Sequence, residues 1–118
     1  MLSTTSHQGP NKVLAATQIL KEVKGQTIET ATWETRPDGW NTIIIDTTQG
    51  RRLLIEGVAF QATTDLKGLT INEPNCCRYE SEAGTDPLWE IWIRGDDIRD
   101  RPLTIMGEGY DTLSVTLF

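Results

Sequence analysis

The stretch LWEIWIRGDD, residues 88–97, decides the fold class of this chain. Apolar and polar side chains alternate along it with a period of two, which indicates a β-strand with one buried face. The residues predicted to face the core are Trp89, Ile91 and Ile93. The opposite face carries Leu88, Glu90, Trp92 and Arg94. The strand ends at Gly95, where a charged loop begins.

Short strand patterns separated by turn signals fill most of the remaining sequence. Arg36–Pro37–Asp38–Gly39 is one such turn, because proline presets φ and glycine accepts a positive φ. The glycine at position 57, inside a strand pattern, predicts a bulge or bend. The strands are predicted over residues 26–34, 40–47, 51–63, 68–73, 76–79, 88–94, 103–106 and 112–118. This rhythm predicts a mainly β fold, an antiparallel β-sandwich or jelly roll of about eight or nine short strands.

The same alternation selects core residues outside the opening stretch. They are the apolar members of the strand patterns, each expected on the buried face. The residues added to the predicted core are Ile44, Val58, Phe60, Leu113 and Val115.

The N-terminal residues differ in character from the β pattern. Residues 1–12 are polar and have little apolar surface with which to order themselves, so we predict an extended arm that lies on a neighbouring chain. Residues 13–24 fit both a helical and an alternating pattern, which leaves helix and strand open. We therefore divide the chain into an arm with a short helix or strand, residues 1–25, and a β-domain, residues 26–118.

Composition excludes several classes of function. The chain has 118 residues and a net charge of −6, from 17 acidic and 11 basic side chains. Nucleic-acid binding is not expected, because neutralising phosphates needs clustered Lys and Arg. No apolar run approaches the length of a membrane span, and the start lacks a signal-peptide pattern, so we expect no membrane association and synthesis in the cytoplasm.

Candidate catalytic and metal-binding groups are sparse. Cys76 and Cys77 are adjacent, a spacing that strains a disulfide and does not suit zinc, so we predict two reduced thiols. His7 is the single histidine and lies in the arm, far in sequence from any nucleophile. Carboxylates near positions 80–82 and 96–100 fit solvated loops better than an acid–base pair or a calcium loop. We therefore predict no enzyme activity, no cofactor and no metal.

Two further patterns have a binding interpretation. Arg94–Gly95–Asp96 spells the tripeptide that integrins read, but at a strand end it is better explained as a turn. Exposed tryptophans on a β-sandwich can stack on sugar rings, and Trp40 and Trp92, with Tyr79, are the residues that a carbohydrate-binding or receptor-binding module would use.

Taken together, a polar arm followed by an acidic, Thr- and Gly-containing β-domain that ends in a strand resembles the small cement or decoration proteins of tailed-phage virions. The resemblance implies a structural assembly protein that is part of a virion, binds major capsid or tail subunits and forms homo-oligomers. The alternative is the carbohydrate- or receptor-binding module. The predicted partner-binding residues are Leu2, His7, Pro10, Trp40, Trp92 and Phe118.

Overall fold

The computed structural model describes residues 3–5, 11–37, 39, 41–57, 59–62, 66–72, 74–79, 88–93, 103–109 and 112–118. The protein is mainly β, and its described residues form two antiparallel sheets and one helix, α1, over Asn11–Lys21. The strands in the described residues are β1 Ser3–Thr4, β2 Ile28–Thr35, β3 Asn41–Thr47, β4 Arg52–Gly57, β5 Ala59–Ala62, β6 Asn75–Tyr79, β7 Leu88–Ile93, β8 Leu103–Glu108 and β9 Ser114–Leu117.

The larger sheet has five strands in the order β1-β9-β4-β3-β2. Its central hairpins follow the predicted turns: the Gly39 N–H donates to the Arg36 carbonyl oxygen at 3.0 Å, and Gly39 has a φ of 89°. The last strand of the chain, β9, lies inside this sheet between β1 and β4. The strand β2 occupies one end of the order and is therefore an edge strand.

The smaller sheet has four strands in the order β5-β8-β7-β6. The chain passes from the larger sheet to the smaller one between β4 and β5, so the irregularity predicted at Gly57 is the point where the chain changes sheets. The opening stretch forms β7, an inner strand paired with β6 and β8.

Most buried apolar side chains of both sheets and of α1 belong to one hydrophobic cluster. Trp89, Ile91 and Ile93 are fully buried in it, as the alternation predicts, and Leu113 and Val115 are buried with them. The helix contributes an apolar stripe with helical spacing and contacts β6, β9 and β1. The buried residues of this stripe are Val13, Ala15, Ala16, Ile19 and Leu20.

The Trp89 indole is fixed by hydrogen bonds at Nε1 and by close packing against Gly107. Its Nε1–H lies 2.8 Å from the Thr112 hydroxyl oxygen and 3.1 Å from the Gly109 carbonyl oxygen, which satisfies its buried donor. Gly107 lies directly opposite on β8, and its lack of a side chain leaves room for the ring. This arrangement fixes the smaller sheet against the segment that leads into β9.

Helix formation resolves the ambiguity of residues 13–24. The stripe Ala16, Ile19, Leu20 and Val23 is buried throughout, so burial at helical spacing decides the conformation. Gly25, with a φ of 86°, follows the helix and donates its N–H to the Ile71 carbonyl oxygen.

Two expectations about the β-domain need correction. Ile44 is only partly buried, because it faces outward between the buried Ile43 and Ile45. Of the strand predicted over residues 68–73, the described part, residues 68–72, is instead the end of a turn followed by one isolated bridge, Thr70 to Thr27. Of the remaining core predictions, Val58 lies outside the described residues, and Phe60 is described in its backbone alone.

The arm departs from its predicted location. Ser3 and Thr4 pair with Leu117 and Thr116 of the same chain, so the prediction that the arm lies on a neighbouring chain is wrong for these residues. Thr5 continues the pairing: its N–H donates to the Val115 carbonyl oxygen, and its hydroxyl oxygen accepts from the Val115 N–H, both at 3.1 Å. Backbone hydrogen bonds supply the ordering, as expected for so polar a segment, but within the chain.

Candidate functional site

The edge strand β2 is the most exposed strand for which the structure describes every side chain. After the buried Ile28, each residue is exposed except Ala31, which is half-buried. Threonines and Trp33 favour the extended conformation at these positions. A strand that packs on a core buries one face, whereas most of β2 leaves both faces open to solvent. Its surface is therefore available to a partner.

The backbone of β2 also points hydrogen-bonding groups away from the sheet. The Thr47 N–H donates to the Arg51 carbonyl oxygen in the β3–β4 hairpin, so the backbone groups of Thr47 point toward β4. Because successive residues of a strand point their backbone groups to opposite neighbours, those of Asp46 and Ile44 point toward β2. Thr30 and Thr32 lie opposite those two residues and bond to β3. By alternation, the N–H and C=O groups of residues 31, 33 and 35 face outward.

One end of this edge is already occupied. The Ile28 N–H donates to the Leu69 carbonyl oxygen, and the Gly68 N–H donates to the Ile28 carbonyl oxygen, both at 2.8 Å. A register shift between Ile28 and Thr30 marks a bulge at this point. No described strand pairs with β2 beyond the bulge on its outer side. The candidate contact edge, defined as residues 30–35, is therefore bounded by the bulge and by the turn at Arg36.

Trp33 supplies the large side chain of the contact edge. It lies opposite Ile43, on the face that carries the core residues, yet 45% of its surface is exposed. Among the described residues, few large apolar side chains are exposed. The others are Leu14, Leu88, Met106 and Phe118. An exposed tryptophan beside open backbone groups is suited to protein contacts.

The outward face of the larger sheet is polar next to the contact edge. Arg52 and Asp46 form an ion pair at 2.7 Å, and Thr30 donates a hydrogen bond to the Asp46 carboxylate at 3.3 Å. The hydrogen bond from Arg52 lowers the pKa of Asp46, and the same bond raises the pKa of Arg52. Since Arg52 is exposed and Asp46 is only partly buried, water screens the pair, and it adds little to the stability of the fold.

Two of the predicted partner-binding residues are described, and they lie on different sheets. Trp92 in β7 is 9% exposed, so little of its indole is accessible to a partner. Phe118 is 54% exposed and follows β9, with its N–H donated to the Arg52 carbonyl oxygen at 2.9 Å. The other four, Leu2, His7, Pro10 and Trp40, lie outside the described residues.

The contact edge was not selected from the sequence, although a signal was present. After Ile28 neither side of the strand is continuously apolar: Thr30, Thr32 and Glu34 lie on one side, and Ala31, Trp33 and Thr35 on the other. Such a pattern is typical of an edge strand exposed on both faces.

The thiols are placed as predicted, without a disulfide. Cys76 is buried and Cys77 lies on the other side of β6, partly exposed. Burial raises the pKa of the Cys76 thiol to about 12, which keeps it protonated and poorly reactive.

Within the described ranges, no group of three or more His, Cys, Asp and Glu side chains could hold a metal ion. The Asp96–Asp100 carboxylates and the Arg94–Asp96 tripeptide lie outside those ranges. The one helix described is too short and too polar to cross a membrane.

Comparison with known proteins gives no relative for this fold. No protein-family model, curated protein or solved structure matches the chain. The functional interpretation therefore depends on the residues of the contact edge.

Proposed function

We propose that the protein is a structural assembly protein that binds neighbouring protein subunits through the contact edge. The observation that supports this is the exposure of β2 on both faces at the end of a five-stranded sheet. In this proposal the two sheets pack as a β-sandwich, since residues from both enter one hydrophobic cluster. The N-terminal arm completes the opposite edge of the larger sheet.

Edge strands are usually kept from pairing with other chains. Short length, lysine, proline and inward-pointing charges are the common means. β2 has eight residues, longer than most strands, and contains no lysine or proline. Two glutamates, Glu29 and Glu34, are its charged residues, and a bulge distorts only its first part. The edge is therefore open to strand addition, in which backbone hydrogen bonds give affinity and side-chain contacts give specificity.

The resemblance to cement and decoration proteins gives the proposed setting. In that setting the protein is made in the host cytoplasm, joins a virion and contacts major capsid or tail subunits without catalysing a reaction. Many copies on a repeating lattice would turn a modest edge contact into stable binding through avidity.

Cosedimentation tests this function. The particles come from a phage whose genome encodes this chain, and they are prepared without the protein itself. Purified wild-type or Ala31→Pro protein is added to them, and the fraction of added protein that pellets with the particles is compared. The proline removes an N–H that faces away from β3 and is tolerated on an edge strand, so it should leave the fold intact and reduce pelleting at least tenfold. Leu14→Ala, which removes an exposed side chain on α1, is the control and should pellet like wild type. Absence of wild-type pelleting would refute the virion assignment.

The carbohydrate-binding alternative now depends on Trp33. Trp33 is 45% exposed, and Thr35, on the same face of β2, offers a hydroxyl group for hydrogen bonds to a sugar. Of the residues predicted for this function, Trp92 is nearly buried, Trp40 lies outside the described residues, and Tyr79 is described in its backbone alone. A glycan array separates the two functions: specific binding that Trp33→Ala abolishes would favour the lectin, and indifference to every glycan would favour the assembly protein.

A further inference from the structure

We propose that two copies of this chain pair through β2, antiparallel, about a two-fold axis that passes next to Trp33. The inference deepens the proposed function, since it names a second copy of the chain as one partner of the contact edge. A two-fold axis perpendicular to the sheet keeps the core-facing sides together, so the two five-stranded sheets become one continuous sheet.

The backbone pattern fits this pairing. The N–H and C=O groups of Ala31 and Thr35 both face away from β3, as derived above. With the axis at residue 33, Ala31 of one copy lies opposite Thr35 of the other, and the two residues exchange both N–H···O=C hydrogen bonds. Symmetry repeats the same exchange on the other side of the axis.

The side chains are self-complementary in this register. On the core-facing side, the exposed indole of Trp33 meets Trp33 of the second copy, which removes apolar surface from water. On the outward side, Thr32 lies opposite Glu34 of the second copy, and Thr30 lies opposite Arg36. Like charges are not directly opposed at any of these positions, which antiparallel pairing requires.

Neighbouring registers are less favourable for reasons visible in the chain. Moving the axis to Ala31 places the second copy over residues 27 and 28, where Leu69 and Gly68 already bond to Ile28. Moving it to Thr35 brings Trp33 opposite Pro37, which has no N–H to donate. An axis at Thr32 extends the pairing to Glu29, across the bulge. The axis at residue 33 avoids all three.

Cysteine cross-linking reads out the register directly. Thr32 and Glu34 have exposed side chains, and in the proposed dimer they form a pair without mutual backbone bonds, a spacing that suits a disulfide. Thr32→Cys mixed with Glu34→Cys should give a covalent heterodimer under mild oxidation, with the 32–34 cross-link identified by peptide mass spectrometry. Native Cys77 is distinguished by its own peptide. Cross-linking of Thr32→Cys alone through position 32 would overturn this register in favour of an axis at Thr32.

Sedimentation velocity measures the association itself. Wild-type protein should show a monomer–dimer equilibrium over about a hundredfold range of concentration, and Ala31→Pro should weaken it at least tenfold. Trp33→Ala, which leaves the backbone unchanged, is a second variant and should also weaken it. Wild-type protein that stays monomeric throughout would overturn the proposal. Pelleting of that monomer with phage particles would leave the proposed assembly function intact, so the two failures are distinguishable.

Discussion

The indole ring of Trp89 fills the space in which a side chain at Gly107 would lie. A Cβ atom at position 107 would come within 2.7 Å of Cζ2 of the ring and 3.0 Å of the Thr112 hydroxyl oxygen. The ring itself is fully buried and hydrogen-bonded, so a shift away from an added Cβ atom would disturb its hydrogen bonds and its packing. The two positions are therefore packed as a pair in the core: the large side chain of Trp89 occupies the space left by the missing side chain of Gly107.

We expect Gly107→Ala to destabilise the protein by about 1–3 kcal/mol, because the added methyl group overpacks the contact with Trp89. Glycine inside a strand is otherwise unfavourable, so the opposite sign would be expected without the clash. Met106→Ala, one position away with an exposed side chain, is the control and should change stability little. Urea denaturation followed by tryptophan fluorescence measures both. A stabilised Gly107→Ala protein would contradict the described contact.

Trp89 and Trp33 should differ sharply as determinants of stability. Trp89→Ala removes a fully buried ring and should cost about 3–5 kcal/mol. Trp33→Ala removes a ring that is 45% exposed and should cost less than about 1 kcal/mol in the monomer. Thermal unfolding at low protein concentration separates the two effects. Equal losses would mean that Trp33 belongs to the core.

Thr5 should stabilise the arm through its hydroxyl group. Its oxygen accepts the Val115 N–H in a buried position, and Thr5→Val leaves that donor unsatisfied, at a cost of about 1–3 kcal/mol. Thr4→Val is the matched control, because the Thr4 side chain is exposed and only faces the Thr116 hydroxyl at 3.2 Å. Chemical denaturation compares the pair. If neither variant loses stability, the arm does not hold its place on β9.

Cys76 should make the protein less stable in alkali. Because burial raises its pKa to about 12, the unfolded chain releases this proton at a lower pH than the folded protein. The contribution of the buried Cys76 thiol to the free energy of unfolding is fully present below the pKa of the unfolded thiol, about 8.5, and is lost as the pH rises toward about 12. We expect a loss of about 1–2 kcal/mol between about pH 8 and pH 10 that Cys76→Ala abolishes and Cys77→Ala retains.

Thiol labelling gives an independent check on the same residues. In the native protein Cys77, which is partly exposed, should react with a maleimide much faster than Cys76. After unfolding without reductant both should react, since neither is in a disulfide. Rapid native labelling of Cys76 would contradict its burial.

Periodicity predicted the local elements well where one face is buried. The alternation in β7 identified three core residues correctly, and the Arg36–Gly39 turn was recognised from its proline and glycine. Periodicity failed at Ile44, because three consecutive isoleucines, residues 43–45, do not show which face of the strand packs against the core. It left α1 undecided, since burial against β6 and not local pattern selects the helix.

The contact edge and the position of the arm were beyond sequence reasoning for a different reason. Both depend on strand order, which is set by pairing between distant residues such as Ser3 and Leu117. Sequence alternation shows that a strand has an exposed face, but it does not show whether its edge is covered.

The position of β9 affects how the chain can fold during synthesis. Strand β4 needs β9 as its neighbour, yet every strand of the smaller sheet is made between them. Until residues 114–117 leave the ribosome, the edge of β4 is unpaired, and Leu53 and Ile55 lack their neighbours Leu117 and Val115. The larger sheet also lacks the strand that joins β1 to it. Closing so distant a pair is slow compared with forming local hairpins. The nascent chain therefore passes through a stage with an exposed apolar edge, when protection by a chaperone matters most.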